Sequence, residues 1–233
     1  MKGIFITGTD TGVGKTICSG LLAGYLTQRG YRVITQKWVQ TGSCSDIAAH
    51  LKLIPGPQDE IKAYSSYVCA YSFNFASSPH LAASLEKRTI KPEKIKQSFK
   101  FLSQRFDFVV VEGSGGALVP YSRKKLLIDI VSELDLPVVI VVANKLGAIN
   151  HSLLTIEAIK KRNINIAGVI FNNQQKKINK LILDENVRII KDLTGTRVLG
   201  ALPWAKDKKH LARAFMPIGK NILTRLKQAG DNG

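Results

Sequence analysis

The sequence predicts an α/β fold, a single doubly wound, mostly parallel β-sheet flanked by helices. Two apolar runs, Phe108-Val109-Val110-Val111 and Val138-Val139-Ile140-Val141-Val142, are continuous instead of alternating, which marks strands covered on both faces. Apolar runs of this kind alternate with amphipathic segments of helix length, as right-handed strand–helix–strand crossovers require. A glycine-rich turn joins the first run to the first helical segment.

In chain order, strands are expected at Gly3–Thr7, Arg32–Lys37, Phe108–Glu112, Pro137–Asn144, Ile166–Asn172 and Val198–Leu202. Helices fit between them at Lys15–Arg29, Asp46–Leu53, Pro79–Lys87, Pro92–Gln104, Leu126–Leu134, Asn150–Arg162, Lys177–Leu193 and Lys208–Gln228. Ser78-Pro79 reads as an N-cap followed by proline at the first helical position. No repeat, low-complexity segment or linker divides the chain, so residues 1–233 are read as one domain with a frayed tail at 229–233.

Of the 233 residues, 45% are hydrophobic, enough apolar surface to offset ordering and exclude a disordered or fibrous chain. There is no run of ~18 apolar residues to span a membrane. Met1 to Ile6 leads straight into strand-like sequence without a signal-peptide pattern. Three cysteines at irregular spacing, Cys18, Cys44 and Cys69, make neither a disulfide framework nor a zinc pattern. A reducing, cytoplasmic location is therefore expected. Cys18 and Cys69 read as small buried hydrophobes, and Cys44 carries no role.

The 34 Lys and Arg against 17 Asp and Glu give a net charge of +17. Such a balance suits an anionic partner. The basic residues are spread out, however, and no aromatics alternate with them as a base-stacking surface would want. A solvated basic surface is expected, with no nucleic acid and no membrane as partner.

The strongest chemical signal is Gly8-Thr9-Asp10-Thr11-Gly12-Val13-Gly14-Lys15-Thr16, which follows a strand and opens a helix. A phosphate loop needs small residues so that backbone amides can turn inward, and a helix N-terminus whose free amides attract anions. Lys15 would neutralise β- and γ-phosphates and the Thr16 hydroxyl would hold Mg²⁺. The usual spacing is G-x-x-x-x-G-K-[ST]; here Thr9 stands where the first glycine belongs and Gly8 lies one residue earlier. The fold expected is thus P-loop NTPase-like.

Mg²⁺ beside a phosphate loop calls for carboxylates at neighbouring strand ends. Glu112 ends the Phe108–Glu112 strand and precedes Gly113-Ser114-Gly115-Gly116. Asp46 suits either a ligand or a plain helix N-terminal acid, and Lys37 either faces the cleft or is solvated. His80 and His151 each sit just inside a helix start, where packing and hydrogen-bonding roles are commoner than catalysis.

These residues together resemble the dethiobiotin synthetase family. The loop Gly8–Thr16 is similar to its G-T-D-T-x-V-G-K-T. Lys37-Trp38-Val39-Gln40-Thr41-Gly42 resembles its K-P-V-x-[ST]-G, and Val111–Gly116 its V-E-G-A-G-G. Lys145-Leu146-Gly147-Ala148-Ile149-Asn150-His151 is similar to its K-L-G-x-I-N-H, and Ser78-Pro79-His80 and Leu202-Pro203-Trp204 match as well. Trp38 replaces the family's proline, a change that bears on the backbone beside the substrate. Ala76 and Ser77 also depart, and beyond Trp204 nothing matches.

The resemblance implies ATP- and Mg²⁺-dependent closure of a ureido ring on 7,8-diaminononanoate with CO2, giving dethiobiotin, ADP and phosphate in biotin biosynthesis. The path implied runs through a carbamate and a carbamic–phosphoric anhydride and needs no protein nucleophile. It implies catalytic roles for Lys15 and Lys37, with Mg²⁺ on Thr16, Asp46 and Glu112. ATP contacts are implied for Gly12, Val13, Gly14, Lys15, Thr16, Ile17, Asp46, Glu112, Gly113, Ser114 and Gly115, and for adenine at Asn172, Asn173, Pro203 and Trp204. Thr11 and Thr41 would meet the substrate's amine and carbamate end. A homodimer is implied too, the partner's Gly147, Ala148, Ile149 and Asn150 holding the substrate carboxylate. The same four residues also suit a tight turn with Asn150 as N-cap.

Three rivals share the phosphate loop. A partition-type ATPase carries a signature lysine five residues before the loop lysine; here that position is Asp10, whose negative charge cannot neutralise a partner's phosphates. A cobyrinate-type amidotransferase needs a C-terminal glutaminase domain with a cysteine nucleophile, and no cysteine follows Trp204. A silent nucleotide-binding protein would not need Lys15, Thr16, Lys37, Asp46 and Glu112 together.

Overall fold

Strands buried on both faces need helices on both sides, and the chain supplies them by alternation. It runs β1 (Gly3–Gly8), α1 (Lys15–Thr27), β2 (Val33–Thr41), α2 (Asp46–Leu51), α3 (Ser65–Val68), β3 (Cys69–Phe73), α4 (Pro79–Leu85) and α5 (Pro92–Ser103). It continues through β4 (Phe108–Glu112), α6 (Leu127–Glu133), β5 (Val138–Ala143), α7 (Ala148–Lys160), β6 (Ile166–Asn172), α8 (Lys180–Thr194), β7 (Val198–Leu202) and α9 (Lys208–Asp231). The structure, a computed structural model, describes residues 3–42, 45–56, 61, 63–177 and 179–231, and of 229–231 only the backbone.

All seven strands are parallel, in the order β3-β2-β4-β1-β5-β6-β7. Every residue of β1, β4 and β5 is buried, as their continuous apolar runs require. Strand alternation divides those residues between two cores. Phe5, Val109, Val111, Ile140 and Val142 meet Ile95 and Leu102 of α5 and Ile156 and Ile159 of α7. Ile4, Ile6, Val110, Val139 and Val141 meet Leu22 and Leu26 of α1 and Phe215 and Ile222 of α9. From β1 the chain crosses over β4 to β2, and from β4 it crosses back over β1 to β5. Crossovers that diverge in this way open a crevice at the carboxyl ends of the strands.

Several expectations change. Residues 69–73 form a seventh strand that was not foreseen, because Cys-Ala-Tyr-Ser-Phe has no β-branched run. Pairing with β2 makes it a strand, in the register Lys37↔Cys69, Val39↔Tyr71 and Thr41↔Phe73. The same pairing carries β2 on to Thr41, so Lys37 lies inside the strand, beside Glu112 in register, and not at its end. Cys69 is half-buried with its thiol donating to the Tyr71 carbonyl at 3.3 Å, unlike the buried Cys18. Cys44 lies outside the described residues.

Helix α7 begins at Ala148 behind Gly147 as N-cap, so Asn150 is not the cap and stands exposed in the first turn. Helix α9 runs to Asp231, into the segment read as a frayed tail; Asn232 and Gly233 lie outside the described residues. Among the described residues no helix is long and apolar enough to cross a membrane.

Trp38 is fully buried, its ring centroid 5.0 Å from that of Phe5, and its Nε1 donates to Gln36 Oε1 at 3.0 Å. By alternation it points away from Lys37, into the core and not into the crevice. Truncating it removes a large buried side chain and takes the donor from the Gln36 amide oxygen. Trp38→Ala is expected to cost about 3–5 kcal/mol of folding stability, measured as a lower urea midpoint with an unchanged slope.

Candidate active site

β1 delivers the chain to the crevice at Gly8, and α1 begins at Lys15. Between them Gly14 is the N-cap of α1 at φ 104°, and a Cβ there would run into the Asn172 side-chain amide. Only glycine tolerates both conditions. Two side chains from the end of β6 fix the loop: Asn172 Nδ2 donates to the Val13 carbonyl at 2.9 Å and Gln174 Nε2 to that of Gly12 at 2.6 Å. The unpaired amides of the first turn of α1 are left at the crevice, where an anion can take them. Lys15 Nζ donates to the Asp10 carbonyl at 2.8 Å and so lies folded over its own loop.

Glu112, at the end of β4, is 1% exposed. Its Oε1 accepts from Lys37 Nζ at 2.9 Å and from the Thr16 hydroxyl at 3.0 Å, and its Oε2 lies 2.7 Å from His50 Nε2. Lys37 Nζ also reaches Asp46 Oδ2 at 2.6 Å and the Gly113 carbonyl at 3.0 Å. The Thr16 hydroxyl stands 3.3 Å from Asp46 Oδ1. Asp46 is seated in turn by Gln40, whose Oε1 accepts its backbone N–H at 3.2 Å, and by Ser45, which caps α2. It is both a first-turn acid and a member of the charge cluster. Gly113 lets the chain pass over β1, since a Cβ there would lie 2.7 Å from the Phe5 ring.

Burial alone would drive the Glu112 carboxyl up; Lys37, and then His50, overturn that and hold it down at about 2. Burial likewise works against the Lys37 cation, but Glu112 and Asp46 keep it above its ordinary value. For Lys15 the compensation falls short, although Glu112, Asp46 and Asp10 all act to raise it. Burial, with Lys37 second, lowers it to about 8. The Cys18 thiol beneath the loop is pushed up to about 12 by burial and is inert.

A cavity of about 870 Å³ opens over these groups. It brings together Thr11, Gly12, Gly14, Lys15, Thr16, Ile17, Lys37, Thr41, Asp46, Glu112, Ser114, Gly115 and Asn172 of the residues expected from the sequence. Val13 and Ala148 line a smaller cavity of about 210 Å³ beside the loop, together with Lys145 and His151. Gly113, Gly147, Ile149, Asn150, Asn173, Pro203 and Trp204 line neither. The Asn173 Oδ1 is taken by Asn144 Nδ2 at 3.0 Å, and Trp204 is 38% exposed with Lys176 Nζ 5.9 Å from its ring centre.

Residues 2–210 match the model of a family described as an AAA domain. The ATP-dependent dethiobiotin synthetase BioD 2 of Haemophilus ducreyi is 40% identical over 73% of this chain and 82% of its own length. The ATP-dependent dethiobiotin synthetase BioD of Clostridium perfringens is 36% identical over 88% of this chain and 92% of its own. This chain belongs to the dethiobiotin synthetase family. Among solved structures, the MinC:MinD cell division protein complex of Aquifex aeolicus matches with a TM-score of 0.59 at 16% identity, covering 96% of each chain. The pNOB8 ParA bound to nonspecific DNA matches with a TM-score of 0.61 at 13% identity, covering 97% of this chain and 99% of the other. At such identities the likeness shows the P-loop NTPase fold alone.

Dethiobiotin synthetases are ATP-dependent ligases, and this member holds its expected charged groups in one crevice. Three side chains there were not foreseen: His50, Gln40 and Gln174. His50 had a signal, since it stands four residues after Asp46 and so shares its helix face. Gln40 and Gln174 had none, because their partners are a backbone amide and a backbone carbonyl that only the folded chain brings near. The His80 Nδ1 is buried with no hydrogen-bond partner among the described residues.

The low value of Lys15 sets a pH dependence. A phosphate seated in the loop favours its charged form, so the value rises on binding. Below about pH 8 the free protein already carries the proton, and affinity is flat. Above it, binding must take up a proton. ATP affinity is expected to fall about tenfold between pH 7 and pH 9. Calorimetry in two buffers of different ionisation enthalpy checks this, showing proton uptake that grows from near zero toward one.

Proposed function

We propose that this synthetase closes the ureido ring of dethiobiotin on 7,8-diaminononanoate, using CO2 and ATP with Mg²⁺. The observation that carries the reading is the convergence of Lys37 and Thr16 on one pair of carboxylates, the half-buried Asp46 and the buried Glu112, under a cavity that continues onto the phosphate loop.

The residues fit Mg²⁺. Thr16 Oγ1, Asp46 Oδ1 and Glu112 Oε1 are hard oxygen donors within hydrogen-bonding distance about one hydroxyl. Among the described residues no group of three His, Cys, Asp or Glu could hold a metal alone. That suits an ion which keeps waters and shares itself with nucleotide phosphates. When bound, Mg²⁺ supplies charge neutralisation at the β- and γ-phosphates.

One substrate amine takes up CO2, losing a proton to become a carbamate. The carbamate oxygen attacks the γ-phosphorus, expelling ADP and forming the carbamic–phosphoric anhydride. The second amine then attacks the carbamate carbon, closes the ring and expels phosphate. The chain supplies position and charge and no nucleophile. Lys37, held cationic by its two carboxylates, faces the carbamate and the transferring phosphoryl group. Lys15 and the amides of residues 12–16 hold the β- and γ-phosphates, with Ile17, Gly113, Ser114 and Gly115 along the nucleotide. Asn172, Asn173, Pro203 and Trp204 serve the adenine, and Thr11 and Thr41 the amine and carbamate end.

The substrate carboxylate is assigned to Gly147–Asn150 of a second copy. That turn lies outside the main cavity, and Leu146 beside it is 83% exposed, an apolar side chain that a second copy would cover. The protein works in the cytoplasm without nucleic acid or membrane, and sedimentation is expected to give twice 25.6 kDa.

The test follows ATP consumption and dethiobiotin mass with bicarbonate, with and without the diamine. One dethiobiotin per ADP, formed only with the diamine, is the expected outcome; ATP turnover indifferent to the diamine sinks the reading. Lys37→Ala is expected to lose about 10²–10³-fold in turnover while ATP still binds.

A further inference from the structure

We propose that His50 is a positioning residue for Glu112: its Nε2–H holds Oε2 so that the carboxylate offers Oε1 alone to Thr16 and the metal ion. The inference rests on the reading above, in which Glu112 is a Mg²⁺ ligand.

The two oxygens of Glu112 are divided between different tasks. Oε1 faces Thr16 and Lys37 at 3.0 and 2.9 Å, on the crevice side. Oε2 faces His50 at 2.7 Å, on the interior side. An ionised carboxylate oxygen only accepts, so the proton of this bond belongs to His50 Nε2. The ring is fully buried, and among the described residues its Nδ1 has no hydrogen-bond partner. Packing alone does not call for an imidazole here: an apolar side chain of similar size would fill the place without burying an unmet nitrogen. Among the described residues, the bond to Glu112 is the one polar interaction that the ring makes.

Position on the chain makes this bond useful. His50 and Asp46 are four residues apart on α2, so one short helix carries a ligand and the group that orients the other ligand. That helix is seated directly on α1, the helix that carries Thr16. A Cβ at Gly20 would lie 3.1 Å from His50 Cα and 2.7 Å from the Leu53 side chain. Thr16 and Asp46 are thereby held to one another through contact between their helices, and the His50 side chain ties Glu112 to the same pair. A carboxylate pinned at one oxygen also cannot turn both oxygens onto Lys37. Orienting bonds of this kind to metal ligands typically matter about 10–100-fold in metal affinity.

The experiment measures the Mg²⁺ concentration that half-restores tight binding of the non-hydrolysable analogue AMP-PNP, by calorimetry, in wild type, His50→Leu, His50→Gln, His50→Asn and Glu112→Gln. Glutamine can place an amide nitrogen where Nε2 stands; asparagine is too short and leucine has no donor. The inference expects His50→Leu and His50→Asn to raise the half-saturating Mg²⁺ about tenfold or more and His50→Gln to stay near wild type. AMP-PNP affinity in EDTA should be the same in all three. Should His50→Leu fail to fold, glutamine against asparagine decides. Unchanged Mg²⁺ dependence in His50→Leu, or a glutamine variant as impaired as asparagine, overturns the role of His50. So does an equal loss of AMP-PNP binding in EDTA, which marks a merely structural defect. Glu112→Gln separates the two readings. If it too leaves Mg²⁺ dependence unchanged, the metal assignment fails and takes the inference with it. If it alone raises the requirement, only His50 is removed.

Discussion

Glu112 is buried and ionised at once, and the crevice is arranged around the cost of that charge. An isolated carboxylate in such a place would take up a proton. It does not, because Lys37 of the adjacent strand, Thr16 of the first helix and His50 of the second all donate to it. Four separated stretches of chain are thus tied at one carboxylate. Removing Lys37 leaves the other donors around an uncompensated charge, which is why a buried ion pair is costly to break even where it adds little net stability.

The sheet order is what makes this tie available. β1, β4 and β2 are spatial neighbours although β2 and β4 lie far apart in sequence, so the phosphate loop, Glu112 and Lys37 come to the same edge. The edge lies where the crossovers diverge, and the helices do not close over it. Lys15 and Lys37, two cations in one crevice, end in opposite conditions. Lys37 is compensated and held charged; Lys15 is compensated only in part by Glu112, Asp46 and Asp10, and an anion in the loop supplies the rest.

The surplus of positive charge takes no part in this. Lys15 and Lys37 are balanced nearby by Asp46 and Glu112. Elsewhere basic side chains lie over the protein's own aromatic rings, Arg88 over Phe73, Lys94 near Tyr71 and Arg105 over Phe101, or pair with acids, as Lys96 does with Glu133. Those rings are already faced by side chains of the same molecule. The likeness to ParA and MinD is one of backbone, and Asp10 stands where a partition ATPase would need its lysine.

Local pattern was enough for the parallel sheet, the phosphate loop and the ligand candidates. Continuous, short and β-branched runs such as Val138–Val142 mark strands covered on both faces, and a Gly-Lys-Thr after a strand states its own chemistry. Family motifs added Lys37 and Asp46, whose spacing alone left them open. What local pattern could not show was made by pairing between distant segments. Cys69–Phe73 is a strand because β2 lies beside it, and β2 reaches Thr41 for the same reason. Trp38, read as a change in the backbone beside the substrate, has its side chain in the core because strand alternation turns it from Lys37. His50 looked like any helical histidine. Its partner is a carboxylate 62 positions away, and only the folded chain, by burying both, gives either of them a role.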